Sequence, residues 1–523
     1  MSLRKYLLGS AAACGALALV APAQAQSSAS LNAQIQSLQD QVRALNGQLQ
    51  NLQSQVVQTQ RNQAVTAETV TQMKTTPAPA AGPGGIVASM PNMRPTLSTA
   101  DGQNTVSLVG RIHWDVGDYF GVHANNAHVG PTDLNSGENL RRARLGLQGK
   151  AFGDWNYALI YDFGGSTDNG PGTPGSTAAA ASGGVETAEL SYNGFRPLTI
   201  EGGIEDVPFT LDEATSSNDI MFIERSSSQV IAANLAAGDF RSNFGAHWNT
   251  DRLWLGGYFT GPATGTIHGI TNGVAQEIGA TQRATFQLLQ SDQYSLHLGA
   301  DAEELLKPET SGGVRVVTNF SDRPELRIDP TSILTTGTLG SVTNPVTGAN
   351  VLGAELAGGL GSAFAQAEYF HYNVDRQGLS TASFNGGYVQ ASYTLTGEHR
   401  KYNPSTGAYS GISPAHPFDI GHFVNGAWGA VELGARYSVI DLNSNYNTGN
   451  VTSASSNAVA GGKQQVITIG ANWYVNNNIR FMLDYLHGSI SKPEGTAGVA
   501  GAPLGSNVGL KFNAIALRTQ VAW

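Results

Sequence analysis

Seven basic side chains sit within alternating segments of the 523-residue sequence: Arg111, Arg142, Arg144, Lys150, Arg436, Arg480 and Arg518. Arginine outnumbers lysine 21 to 8, and a guanidinium fork meets phosphate or carboxylate oxygens two at a time. Arrayed along one wall, such groups offer weak, repeated contacts that let an anion enter and still leave. The same groups can instead pair with Asp115, Asp162, Glu432 and Asp484 and stiffen the wall. Both readings stand. Catalytic chemistry has little support, because the sequence contains no G-x-S-x-G, H-E-x-x-H or G-x-x-x-x-G-K-[ST] pattern. His113, His247 and His297 occur singly in strand-like stretches and read as lumen or interface residues, not metal ligands. Asp115, Asp118 and Asp133 lack the spacing of a calcium loop. The single cysteine, Cys14, supports neither a disulfide framework nor a thiolate metal site. The expectation is no catalytic residue, no metal and no cofactor.

Something must position the seven basic groups, and composition narrows what. Charged residues make up 13% of the chain, roughly half the usual ~25%, and glycine occupies 64 positions. The formal charge of −10 disfavours a nucleic-acid partner. Mean hydropathy is −0.16, and no run of about 18 apolar residues follows the first segment. Any membrane crossing therefore has to use strands.

Residues 1–25 read as a secretory signal: Arg4 and Lys5, an apolar stretch from Tyr6 to Val20, then Ala23-Gln24-Ala25. Residues 26–72 hold a heptad seam of Leu31, Ile35, Leu38, Val42, Leu45, Leu49, Leu52 and Val56, the pattern of an oligomerising coiled-coil helix. Residues 73–103 read as a linker, since Pro77, Pro79, Pro83, Pro91 and Pro95 oppose helix and sheet interior alike.

From 104 to 523 the pattern has period two. Leu108, Ile112, Trp114 and Val116 oppose Ser107, Arg111, His113 and Asp115; Ile467, Ile469, Ala471 and Trp473 oppose Thr468, Gly470, Asn472 and Tyr474. One apolar and one polar face indicates half-exposed strands. Aromatic residues near strand ends (Trp114, Tyr119, Phe120, Tyr161, Phe163, Trp473) suggest an interfacial girdle. The segment Ile515, Leu517, Thr519, Val521 ends on Trp523. These features predict an all-β fold: a transmembrane antiparallel β-barrel of about 16 strands with an aqueous lumen, preceded by the coiled-coil helix.

Several stretches resemble the phosphate-selective porin O and P family. They are Asn139-Leu140-Arg141-Arg142-Ala143-Arg144-Leu145-Gly146 with Phe152-Gly153-Asp154-Trp155, Val207-Pro208-Phe209 with Thr215-Ser216-Ser217 and Phe222-Ile223-Glu224-Arg225, Tyr388-Val389-Gln390, Trp428-Gly429-Ala430-Val431-Glu432-Leu433, and Asn472-Trp473-Tyr474. The resemblance implies a homotrimeric outer-membrane barrel that draws small anions through a basic pore, with 207–225 as the inward-folded loop. Where a lysine is usual before Pro-Phe, this chain has Glu205-Asp206-Val207. That acidic stretch keeps open a non-selective or carbohydrate-passing pore. The coiled coil keeps open a periplasmic tether to peptidoglycan with secondary pore activity. Expected partners are outer-membrane lipid, small anions or other hydrophilic solutes, and copies of the same chain.

Overall fold

The computed structural model describes residues 85–126, 133–164, 184–263, 275–291, 293–311, 313–317, 320–446, 456–494 and 505–523, together with Gln36, Gln39 and Arg43. The signal segment 1–25 and the heptad seam of the expected coiled coil (26–72) lie outside the described residues. Gln36, Gln39 and Arg43, all off that seam, are helical and exposed. The chain divides into units 1–80 and 81–523.

Sixteen antiparallel strands form one closed sheet in the second unit. They are β1 (Thr105–Ala124), β2 (Gly137–Ala151), β3 (Trp155–Asp162), β4 (Gly184–Phe195), β5 (Leu198–Val207), β6 (Gly238–Asn249), β7 (Leu253–Ala263) and β8 (Ile278–Gln290). The second half comprises β9 (Tyr294–Lys307), β10 (Val346–Leu360), β11 (Ala363–Arg376), β12 (Ala382–Thr394), β13 (Ala430–Ser444), β14 (Val459–Tyr474), β15 (Ile479–Ser491) and β16 (Leu510–Ala522). Each strand pairs with its sequence neighbours, and β16 returns to β1 from Ala522↔Arg111 to Leu510↔Ala124. Closure leaves no sheet edge to be satisfied in lipid.

The two-residue alternation decides which side faces what. Along β1, Ile112, Trp114 and Val116 are exposed on the outer wall, whereas His113 and Asp115 are fully buried on the inner one. Tyr119, expected in the girdle, instead packs inside against Phe512, with ring centroids 5.7 Å apart. It shares the inward parity of His113 and Asp115, and parity overrides its position near the strand end. Gly110 is required by a close approach: a Cβ there would overlap the Trp523 ring. Trp523 also exchanges backbone hydrogen bonds with Gly110, at 3.0 and 3.1 Å.

The second half of the expected linker needs correction. Ile86–Ser89 and Thr96–Thr99 pair antiparallel, and Thr96–Ser98 extends the ladder onto Ser107–Thr105 of β1. The prolines are accommodated because Pro91 lies in the connecting turn and Pro95 immediately before the second strand.

One rim of the barrel carries short turns (152–154, 196–197, 250–252, 291–293, 361–362, 475–478) and the other longer connections, including 208–237 and 308–345. In outer-membrane barrels these are the periplasmic and extracellular rims. Segment 395–429 breaks the rule, being long on the short-turn rim. Lumen filling explains its length. Leu211, Met221 and Phe222 of 208–237 cluster with Phe364 of β11 and with Ala408 and Tyr409 of 395–429. Towards the other rim, Phe209, Ile231 and Leu235 join Phe320, Leu334 and Leu339 of 308–345 against Phe370, Tyr372 and Phe384. Lys492, past the end of β15, donates to Ile333 O and Thr335 O at 3.0 Å each. Burial pushes its ammonium down to about 8, with Glu494 opposing.

Candidate pore and its constriction

Segment 208–237 leaves the wall after β5 and folds into the lumen. Two short helices organise it: α1 (Leu211–Ala214) and α2 (Ser227–Ala233). Their starts are written locally as Thr210-x-x-Glu213 and Ser226-x-x-Gln229, and each hydroxyl accepts the amide N–H three residues on. Glu368 of β11 accepts the Leu211 and Asp212 amides at 2.7 and 3.2 Å, adding an anion where the helix leaves donors unpaired.

Between the helices, 218–224 lies along the inner wall of β13–β1, held largely through its backbone. Arg480 donates to Asn218 O and Ile220 O at 3.0 and 2.8 Å. Asn472 donates to Met221 O at 2.9 Å, Arg518 to Ile223 O at 2.5 Å and Arg436 to Glu224 O at 2.8 Å. Asp484 accepts the Ile223 amide at 2.7 Å, and His113 Nε2 meets Asn218 Oδ1 at 3.0 Å. The side chain of Glu224 ends among guanidiniums. It accepts from Arg141 at 2.8 and 3.2 Å and from Arg518 at 2.8 Å, with Arg327 Nε 3.8 Å away.

The seven basic residues singled out in the sequence therefore divide. Arg518 also forks onto Asp115 at 2.6 and 2.7 Å, and Arg436 pairs with Glu325 at 2.7 Å. Arg480 stacks on Tyr474, 4.6 Å from the ring centroid. Arg144 is held by Asp162 at 2.8 Å, by Asp239 at 3.3 Å and by Glu186. Arg142 is buried on the lumen side of β2, and half-buried Lys150 sits opposite Thr105. Arg111 is different: its fork donates to Ser217 Oγ at 2.5 Å and Ser216 Oγ at 3.3 Å.

Beside this loop, along β1–β7, lies a polar cavity of about 450 Å³. Of the seven, Arg111 and Arg144 line it; so does Arg94, from the turn of the N-terminal hairpin. Glu186, Glu189, Glu201, Glu205, Asp206 and Glu213 line the same space. The lumen is thus polarised. Arginines crowd the β13–β2 wall, whereas β4–β6, β9, β10 and β11 present Glu186, Glu201, Asp239, Glu303, Glu355 and Glu368.

Parity missed several of these groups. Arg141 belongs on the lipid face by strict alternation, yet a bulge opposite His113 and Trp114 turns both Arg141 and Arg142 inwards, 2% and 1% exposed. The signal was present: an arginine on the lipid face costs about 2–4 kcal/mol at mid-membrane, so adjacent arginines in a spanning strand imply a bulge. Arg94 was hidden by its assignment to a linker. Arg283, bidentate to Glu355 at 2.6 and 3.0 Å, also donates to Thr406 O and Gly407 O. Arg400, bidentate to Glu432 at 2.8 and 2.9 Å, also donates to Asp219 O at 2.6 Å. Together they fasten the periplasmic segment 395–429 inside the barrel.

A family model, phosphate-selective porin O and P, matches residues 106–523. The chain belongs to that family. It is therefore an outer-membrane porin, a channel rather than an enzyme. Porin O of Pseudomonas aeruginosa is 24% identical over 416 residues, which cover 76% of this chain and 85% of that one. An uncharacterised protein of Caulobacter vibrioides is 26% identical over 471 residues, or 87% and 82%. Among solved structures, OmpT of Vibrio cholerae has a TM-score of 0.45 at 11% identity, covering 80% of this chain and 98% of that one. The anion-selective porin of Comamonas acidovorans has a TM-score of 0.45 at 14% identity, covering 80% and 100%.

Proposed function

We propose that this porin passes small hydrophilic solutes by facilitated diffusion with a preference for anions, phosphate-like oxyanions among them. The observation that carries this reading is Arg111. Its guanidinium lines the open cavity with serine hydroxyls as hydrogen-bond partners, so an oxyanion can exchange with those hydroxyls without breaking an ion pair. Arg94 adds a second guanidinium to the same space. The other candidates, Arg142, Arg144, Lys150, Arg436, Arg480 and Arg518, contribute to the potential of that wall, and those paired with acids or loop carbonyls hold the loop that narrows the lumen. Homotrimeric assembly and a periplasmic coiled coil in 26–72 belong to this proposal, as does a contact from that coil to peptidoglycan.

A second reading, a non-selective or carbohydrate-passing pore, is favoured by the six carboxylates lining the same cavity. Planar-bilayer recording with the purified full chain separates the two. Stepwise conductance that falls when phosphate is added to a chloride solution supports the anion reading. Conductance indifferent to phosphate, with fast uptake of neutral sugars in liposome swelling, supports the second.

A further inference from the structure

Three groups of carboxylates converge inside the barrel: Asp206 with Glu213 and Asp239, Asp301 with Glu355 and Glu368, and Glu189 with Glu201 and Glu205. The first meets Arg225 through Glu213 and Arg144 through Asp239. The second meets Arg283 and His297 through Glu355, and the amides of α1 through Glu368. In the third, among the described residues, no guanidinium or ammonium pairs with any of the three carboxylates. Its polar neighbours are His247 Nδ1 and the Tyr258 hydroxyl, 2.9 and 2.5 Å from Glu201 Oε1, Ser191 beside Glu189, and Asn243 beside Glu205.

Among the described residues, the buried Glu205 Oε1 has no hydrogen-bond donor of its own. Glu205 itself is only 9% exposed. Glu189 and Glu205 are close enough to hydrogen-bond each other, and three carboxylates this close repel one another unless a shared proton or a cation joins them. One oxygen from each lies within 4.8 Å of the others, close enough for all three to reach a single calcium ion at about 2.4 Å. All the donors are hard oxygens, the set that calcium takes, and calcium accepts six to eight ligands of flexible geometry. The adjoining cavity, which all three glutamates line, can supply water for the remaining positions.

We infer that Glu189, Glu201 and Glu205 form a calcium-class divalent cation site in the lumen wall, with water from the cavity completing the shell. The bound ion adds two positive charges to a wall that otherwise presents carboxylates, and so shifts the cavity towards anions. That consequence rests on the anion-preferring reading above; the binding site does not.

The test is terbium binding to the purified full chain in detergent, read as luminescence sensitised by Tyr258. Saturable luminescence displaced by calcium is expected. Glu205→Gln and Glu189→Gln should each weaken it at least about tenfold, the scale on which even outer-shell partners alter metal affinity. Both variants should keep the heat-modifiable electrophoretic shift of a folded barrel. Terbium bound equally by both folded variants, or not bound by the wild type, overturns the site. A second arm records reversal potential with calcium and with EDTA. If calcium moves it towards chloride in the wild type and not in Glu205→Gln, the consequence holds. If terbium binds as expected but the potential stays cation-directed under both conditions, the anion reading fails and the site stands.

Discussion

Replacing Glu224 by Gln removes the carboxylate on which Arg141, Arg518 and Arg327 converge. The wild-type side chain accepts two hydrogen bonds from Arg141 and one from Arg518, and Glu224 is 4% exposed. A hydrogen bond to a charged group is worth about 1.5–3 kcal/mol, and losing one member of a buried pair costs about 3–5 kcal/mol. Glutamine keeps one acceptor oxygen, and Arg518 keeps its fork on Asp115, so the lower end, about 3 kcal/mol, applies. At 1.4 kcal/mol per decade, the ratio of attached to released loop falls about a hundredfold. Release stays local, because Asn218, Ile220, Met221 and Ile223 retain their own anchors to β14–β16. The strand ladder is untouched, so heat-modifiability should be unchanged. Single-channel recording should show more frequent current fluctuations and a larger mean conductance than the wild type. A Gln variant with wild-type noise and conductance would mean that Glu224 does not hold the loop, and would refute the reasoning.

Two further substitutions probe the wall and the closure of the barrel. Arg111→Glu places a negative charge where a guanidinium hydrogen-bonded to serine hydroxyls faces the cavity, so the reversal potential in a KCl gradient should move towards potassium; Lys150→Glu, which lies away from that cavity, should move it less. Gly110→Val forces a branched side chain into the Trp523 ring, at the overpacking cost of about 1–3 kcal/mol. The folded, heat-modifiable fraction should fall, and Gly110→Val, Trp523→Ala should recover part of it.

What could be read from the sequence follows from how local each interaction is. Alternation is set within a strand, so the inward parity of Arg111, Arg144, Arg436, Arg480 and Arg518 was legible, as were the barrel and its long loops. The caps of α1 and α2 are four-residue patterns and equally local. The partners of those arginines were not. Arg518 meets Asp115 only because β16 returns to β1, and Arg283 meets Gly407 only because a periplasmic segment turns back into the lumen. Bulges escape for a related reason: one extra residue reverses the parity of its neighbour, as Arg141 shows and as Glu186 repeats on β4, where it and Thr187 are both buried. The whole-chain charge of −10 hid the separation of a basic wall from an acidic one, because a sum carries no position.

Anion preference is tested most directly by the sign of the zero-current potential of the wild-type porin across a KCl gradient, measured with calcium present. With Arg111 and Arg94 facing the solute path, stepwise channels whose potential lies on the chloride side are expected. A potential on the potassium side would contradict that preference.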